Sequence, residues 1–148
     1  MIQEFVKAWD ANREALREYI RTHNQKEYDE YVKLVKIMFD VVINPYFKYD
    51  PCNLSYNTDA IHVIDDGNYQ GSQLFIIPNN DYQPSPYEYV WTHCSYGSCS
   101  GCDTLLAISG YDSGLPSEEQ VDDYMTLLLH LLQRCKYLMP YDEWRNED

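Results

Sequence analysis

The chain has 148 residues, of which 45% are apolar and 15% aromatic, and its formal net charge at pH 7 is −13. This apolar content excludes a disordered chain, and the length predicts a single globular domain, residues 1–148, with a core of its own. The negative charge repels nucleic acid and anionic lipid, and no apolar run reaches the length of a membrane span. We therefore expect neither nucleic acid nor a membrane as a partner. The N-terminus lacks signal-peptide features, and an odd number of cysteines, five, is typical of thiols in a reducing compartment, so we expect a cytoplasmic protein.

The first third of the chain predicts two helices. Residues 2–21 and 26–42 both carry apolar side chains at three- and four-residue spacings, and Asn44-Pro45 is predicted to end the second helix. A short connection between two helices favours antiparallel packing, so residues 1–43 are predicted to form a helical hairpin.

Residues 59–108 predict an antiparallel sheet and a cysteine-rich turn. Three β-rich segments, 60–64, 73–77 and 87–95, are separated by turn residues, and a meander is the simplest arrangement. Alternation along the third strand places Tyr89, Trp91 and His93 on one face, with Val90, Thr92 and Cys94 on the other. Residues 103–108 predict a short helix.

A longer amphipathic helix is predicted over residues 117–139, opened by a capping box between Ser117 and Gln120. Its apolar stripe consists of Val121, Tyr124, Met125, Leu128, Leu131, Leu132, Cys135 and Leu138. The predicted fold class is therefore α+β, with a helical hairpin, a three-stranded antiparallel sheet and a C-terminal helix packed on one sheet face.

Three of the cysteines lie between His93 and Cys102, and this run allows four interpretations. Cys99 and Cys102 have the spacing of a zinc knuckle, which would make zinc the cofactor. Two further ligands would be needed, and the candidates are one of His93 and Cys94, together with Cys52, Cys135 or a distant histidine.

The same C-x-x-C spacing before a short helix is also typical of a reactive dithiol, although the neighbouring Asp103 opposes thiolate formation. Residues 97–101 match G-x-C-x-G, the form of a nucleophile elbow, which requires a parallel sheet and a base such as His93, His62 or His130. The simplest interpretation is a tight turn in which cysteine is a small packing residue, and this requires no cofactor.

No lysine or arginine occurs between Lys48 and Arg134, a base-free stretch of 85 residues (49–133) that contains twelve acids. Residues 1–40, in contrast, hold eight acids and seven bases. The acidic surface expected from residues 49–133 favours a basic protein partner and could mimic a polyanion.

Local structural roles account for some of these acids. Glu118, Glu119, Asp122 and Asp123 lie near the start of a helix, where carboxylates are stabilised by the helix dipole. Asp65 and Asp66 suit a turn, and their spacing does not match a calcium loop. The predicted contact surface consists of Asp65, Asp66, Tyr69, Tyr96, Asp112 and Glu119.

Residues 64–78 and the string Y-G-S-C-S-G-C-D-T-L, residues 96–105, resemble a family of uncharacterised bacteriophage proteins. The resemblance covers the middle of the chain, with a looser likeness in the N-terminal helices. It carries no known activity or functional residue. It implies a small phage protein, and this context favours binding and modulation of a host protein in the host cytoplasm. The residues themselves leave a cysteine-centred site, metal or thiol, at Cys99 and Cys102 as the alternative, and a component of the phage particle is a third possibility.

Overall fold

A computed structural model of the protein describes residues 1–48, 55–81 and 84–139, and of Tyr87 only the backbone. The α-helices are α1 (Gln3–Thr22), α2 (Tyr31–Met38), α3 (Asn44–Phe47), α4 (Thr104–Ser109) and α5 (Glu118–Gln133). The strands are β1 (His62–Asp65), β2 (Gly71–Pro78), β3 (Tyr89–Tyr96) and β4 (Lys136–Tyr137). Among the described residues, no helix is long and apolar enough to cross a membrane.

The first helix agrees with the sequence prediction, whereas the second differs at both ends. The predicted start at residue 26 falls in a separate 3-10 turn, Gln25–Tyr28, because Gln25 is buried and bound by Gly114 and Tyr124. The predicted end at Asn44-Pro45 is also wrong. A π-turn, Phe39–Ile43, joins α2 to α3. Its hydrogen bonds span five residues instead of four, which lets the helical path continue through Pro45, a residue without an N–H to donate.

The sheet is an antiparallel meander in the order β1-β2-β3-β4, so the predicted antiparallel topology is confirmed, but four strands replace the predicted three. The first strand begins two residues later than predicted, because Thr58–Ala60 forms a 3-10 turn. The alternation predicted for β3 is confirmed, since Val90, Thr92 and Cys94 are buried. These residues face α5, where the Thr92 hydroxyl donates to the Leu131 carbonyl at 2.7 Å.

The last helix is shorter than the predicted range of 117–139. The capping box at Ser117 is present, but α5 ends at Gln133 and the chain then pairs with β3 as β4. The physical reason is the open edge of β3: Leu138 N–H donates to the Tyr89 carbonyl at 2.9 Å, a bond that a continued helix would leave unmade. As a result Leu138, predicted to be buried, is 46% exposed.

The core lies between the inner sheet face and the helices, with α5 packed against α1, α2 and β3. Phe5 is 1% exposed, and its ring centroid lies 5.8 Å from that of Phe39, 6.2 Å from that of Phe47 and 5.9 Å from that of Tyr56. Because the start of α1 contacts α3, the two N-terminal helical segments run antiparallel, as the helical hairpin requires.

Candidate functional site

The cysteine turn, residues 97–102, connects the end of β3 to the start of α4. Its backbone is closed by a hydrogen bond from Cys102 N–H to the Cys99 carbonyl at 3.1 Å. Asp103 then caps α4, since its side chain accepts from Leu106 N–H at 3.1 Å, and it also accepts from Gly97 N–H at 2.9 Å. One carboxylate therefore holds both ends of the turn.

Asp103 is itself fixed by α2. It is 7% exposed, and the hydroxyl of the buried Tyr31 donates to it at 2.9 Å while accepting from Leu105 N–H at 3.1 Å. Burial raises the pKa of Tyr31, so this hydroxyl stays a donor. The buried contact makes the position of the cysteine turn a property of the whole fold.

The two cysteines of the turn face each other at the surface. Cys99 Sγ and Cys102 Sγ lie 3.0 Å apart, and both residues are exposed. Hydrogen bonds from the Cys99 side chain, and from Cys99 N–H at 3.3 Å, lower the pKa of Cys102. These hydrogen bonds therefore favour the thiolate form of Cys102.

The position of Cys102 depends on the absence of a side chain at Gly97. A Cβ atom at this position would lie 2.5 Å from Cys102 Sγ and 2.5 Å from the Cys102 carbonyl oxygen, which is shorter than real contacts allow. A Cβ at Gly101, in contrast, would have as its nearest neighbour Cys99 Sγ at 3.9 Å. The two glycines of the turn thus have different roles, and only Gly97 is required sterically.

The other described cysteines are chemically different. Cys94 and Cys135 are buried, and burial raises the pKa of each thiol to about 12. Cys52 lies outside the described residues. Within residues 1–48, 55–81 and 84–139, no three histidine, cysteine or acidic side chains are grouped so that they could hold a metal ion. The predicted zinc ligands Cys99 and Cys102 therefore meet each other but no further ligand in this part of the chain.

The nucleophile-elbow interpretation does not fit this surrounding structure. An elbow lies between a parallel strand and a helix, whereas the strand that precedes the cysteine turn pairs antiparallel on both sides.

Among the predicted contact residues, Asp65 and Tyr96 are in direct contact. Asp65 accepts from the Tyr96 hydroxyl, from Gly67 N–H at 3.0 Å and from the Gln73 amide at 3.0 Å. These bonds, the one from Tyr96 above all, lower the pKa of Asp65. Asp66 accepts from a backbone N–H within the same β1–β2 hairpin. Both carboxylates therefore shape the hairpin, as turn residues do.

Of the remaining predicted contact residues, Tyr69 lies on the same hairpin as Asp65 and Asp66, whereas Asp112 and Glu119 lie on other elements. Tyr69 is 82% exposed at the β1–β2 hairpin. Asp112 accepts from Gly114 N–H at 3.0 Å in the α4–α5 loop, and Glu119 is exposed in the first turn of α5. The Gly114 carbonyl in turn accepts from Gln25 N–H at 2.8 Å, so this loop is held by the chain after α1. No described contact joins these residues to the Asp65 group.

Part of the acidity of the base-free stretch is neutralised by α1. Arg21 pairs with Glu118 at 2.8 Å, and Arg17 pairs with Asp122. Sequence reasoning missed these pairs because the partners are far apart in the chain. It also missed Asp103 and Tyr31 as site residues. An aspartate directly before a helical pattern is an N-cap signal and could have identified Asp103, whereas nothing local marks Tyr31.

A groove of about 290 Å³ lies beside the cysteine turn, between α2, α4 and the inner sheet face. Its lining residues are Asp29, Glu30, Tyr31, Val32, Val63, Gln73, Tyr96, Asp103, Leu105 and Leu106. Apolar side chains dominate, and acids lie at the α2 end.

Neither a protein-family model, nor a curated protein, nor a solved structure matches this chain. The resemblance of residues 96–105 to bacteriophage proteins therefore stays a prediction. The function of the site rests on its own geometry.

Proposed function

We propose that the protein acts through thiol–disulfide exchange at Cys99 and Cys102. The observation that carries this proposal is the pair of exposed sulfur atoms 3.0 Å apart. A disulfide needs a separation of about 2.05 Å, so a movement of about 1 Å would close the bond. The turn that carries both cysteines is also anchored to the fold through a buried contact between Asp103 and Tyr31.

The reaction needs a disulfide of a partner molecule as the oxidant. The Cys102 thiolate attacks one partner sulfur, the partner S–S bond breaks, and a mixed disulfide forms while the first partner thiolate leaves and takes up a proton. Cys99, after losing its proton, attacks Cys102 Sγ and releases the second partner thiolate, which is also protonated. Two electrons pass to the partner, which is reduced to two thiols, and Cys99 and Cys102 become a disulfide. The same steps in reverse oxidise a partner dithiol.

Alkylation kinetics and equilibration in glutathione buffers test this proposal. We expect Cys102 to react faster than free cysteine at neutral pH and the chain to form a disulfide between Cys99 and Cys102, detected by peptide mapping. Cys102→Ser should abolish the fast reaction, whereas Cys99→Ser should trap a mixed disulfide with glutathione. Cys135→Ala is the control, because that buried thiol takes no part. A Cys102 no more reactive than free cysteine, with no intramolecular disulfide, would refute the proposal.

A second candidate function is binding of a basic protein partner, which for a phage protein would be a host protein recognised through polyanion mimicry. The observation that favours it is the presence of exposed aromatic side chains beside acids: Tyr69 is 82% exposed near Asp65 and Asp66, and Tyr111 is 67% exposed next to Asp112. Tyrosine and complementary charge are typical of protein interfaces.

Charge reversal tests this second function. Lysine at Asp65, Asp66, Asp112 and Glu119 should abolish binding, but three of these carboxylates accept hydrogen bonds from the backbone, so unfolding must be checked. Glu119→Lys alone is the cleaner change, since no hydrogen bond of its side chain is described. Glu118→Lys is not equivalent, because Glu118 pairs with Arg21. Binding of a lysine-rich peptide that survives the fourfold change at both low and high salt would refute this function.

A further inference from the structure

A second cleft, of about 230 Å³, lies at the open edge of β3. The short β4 pairs only with Val90 and Trp91, so the following residues of β3 have no strand partner on that side among the described residues. The cleft is bounded by His93 and Ser95 from this edge, Thr104 from the start of α4, and His130 and Arg134 from the end of α5.

The charges around this cleft differ from those of the rest of the protein. Among the residues that the structure describes, its lining contains no aspartate or glutamate, although the net charge of the chain is −13. Arg134 is the first lysine or arginine after Lys48. Arg17 and Arg21 pair with carboxylates, whereas the described hydrogen bond of the Arg134 side chain runs from Nη1 to the His93 carbonyl at 3.3 Å. The guanidinium therefore keeps further N–H donors for a ligand.

One buried carboxylate lies near this cleft and acts on it through its charge: after burial, Asp103 is the next cause that raises the pKa of Cys94, whereas Arg134 lowers it. Asp103 lies outside the lining, and its oxygens accept from the Tyr31 hydroxyl, Gly97 N–H and Leu106 N–H. Cys94, which does line the cleft, is kept neutral because burial raises the pKa of its thiol to about 12.

We propose that this cleft binds an oxyanion, the phosphate or carboxylate group of a small ligand, with the Arg134 guanidinium as the main recognition group. A planar guanidinium matches two oxygens of such a group, and the Thr104 hydroxyl and His130 are further donors at the rim. Burial, and after it the charges of Arg134 and Lys136, lower the pKa of His93, so both cations act on this edge of the sheet. The site does not depend on thiol exchange at the cysteine turn.

Titration of the full chain with inorganic phosphate and with acetate, followed by the histidine ring signals in NMR spectra at constant ionic strength, tests the proposal. We expect the His130 and His93 signals to shift and saturate. Arg134→Gln should weaken the apparent affinity at least about tenfold, as loss of a charge-assisted bidentate contact does. Lys136→Gln is the matched control, because it removes the same charge from outside the lining.

Each outcome decides the proposal. Saturation by phosphate alone supports a phosphate ester as the ligand, and saturation by both anions supports a site that also takes carboxylates. Shifts that do not saturate, or an equal loss in Arg134→Gln and Lys136→Gln, would show general charge attraction and overturn the site. His130→Asn, which leaves Arg134 in place, serves as a second variant if Arg134→Gln fails to fold.

Discussion

Replacing Gly97 with alanine tests how the cysteine turn is held. The added methyl group would lie 2.5 Å from two atoms of Cys102, whereas ordinary contact begins at 3.4 Å, so Cys102 must retreat by about 0.9 Å. This movement of Cys102 costs free energy because the next residue, Asp103, is fixed by three hydrogen bonds. Overpacking of this kind costs about 1–3 kcal/mol. At about 2–4 °C per kcal/mol, a cost of 2 kcal/mol lowers the unfolding midpoint by about 6 °C.

Gly97→Ala should also lower the reactivity of Cys102. We expect the displacement of Cys102 to disturb its contact with Cys99 Sγ, the main cause of its lowered pKa, so its alkylation at neutral pH should slow. Gly101→Ala is the matched variant in the same turn. Its Cβ would make ordinary contact at 3.9 Å, so we expect an unchanged alkylation rate and an unchanged or slightly raised midpoint.

Calorimetry and iodoacetamide kinetics on the two variants measure both effects. Equal midpoints and equal rates for Gly97→Ala and Gly101→Ala would contradict a steric role for Gly97. A lowered midpoint with an unchanged rate would separate the packing of the turn from the reactivity of Cys102, and would count against the hydrogen bond as the cause of the lowered pKa.

Three further predictions concern the rest of the fold. Burial raises the thiol pKa of Cys94 and Cys135 from 9.0 to about 12, so their contribution to stability is complete below pH 9 and is lost as pH rises toward 12. The free energy of unfolding measured in urea should therefore fall by up to about 1.4 kcal/mol per pH unit per thiol in that window. Alanine at both positions should flatten this slope. Phe5→Ala should destabilise the protein by about 3–5 kcal/mol in urea unfolding, whereas Leu115→Ala, at a position 60% exposed, should change little; equal effects would contradict the description of the core. Ser117→Ala removes the capping box of α5 and should cost about 0.5–2 kcal/mol, and an unchanged thermal midpoint would contradict this.

Much of the fold follows from local patterns. The apolar spacings predicted α1 and most of α5, and the alternation in β3 predicted which of its side chains are buried. The capping box at Ser117 and the antiparallel order of the first three strands were also correct. These features depend on interactions between residues a few positions apart, so local sequence patterns predict them.

The candidate site could be located only in part. The C-x-x-C spacing identified Cys99 and Cys102, but it left zinc, dithiol chemistry and simple packing as alternatives. The sulfur separation, and the steric role of Gly97, depend on how the turn closes, and its closure depends on Asp103 and Tyr31. Those two residues are 72 positions apart.

The sequence by itself determined the main helices, the β-meander and the turn that brings Cys99 and Cys102 together. Tertiary structure alone decided that the chain after α5 turns back as β4, because the open edge of β3 offers hydrogen bonds that helical periodicity cannot reveal. It also decided that Arg17 and Arg21 neutralise acids of α5, 105 and 97 positions away. Such contacts form only when whole elements pack together, so they cannot be predicted from a short segment of the sequence.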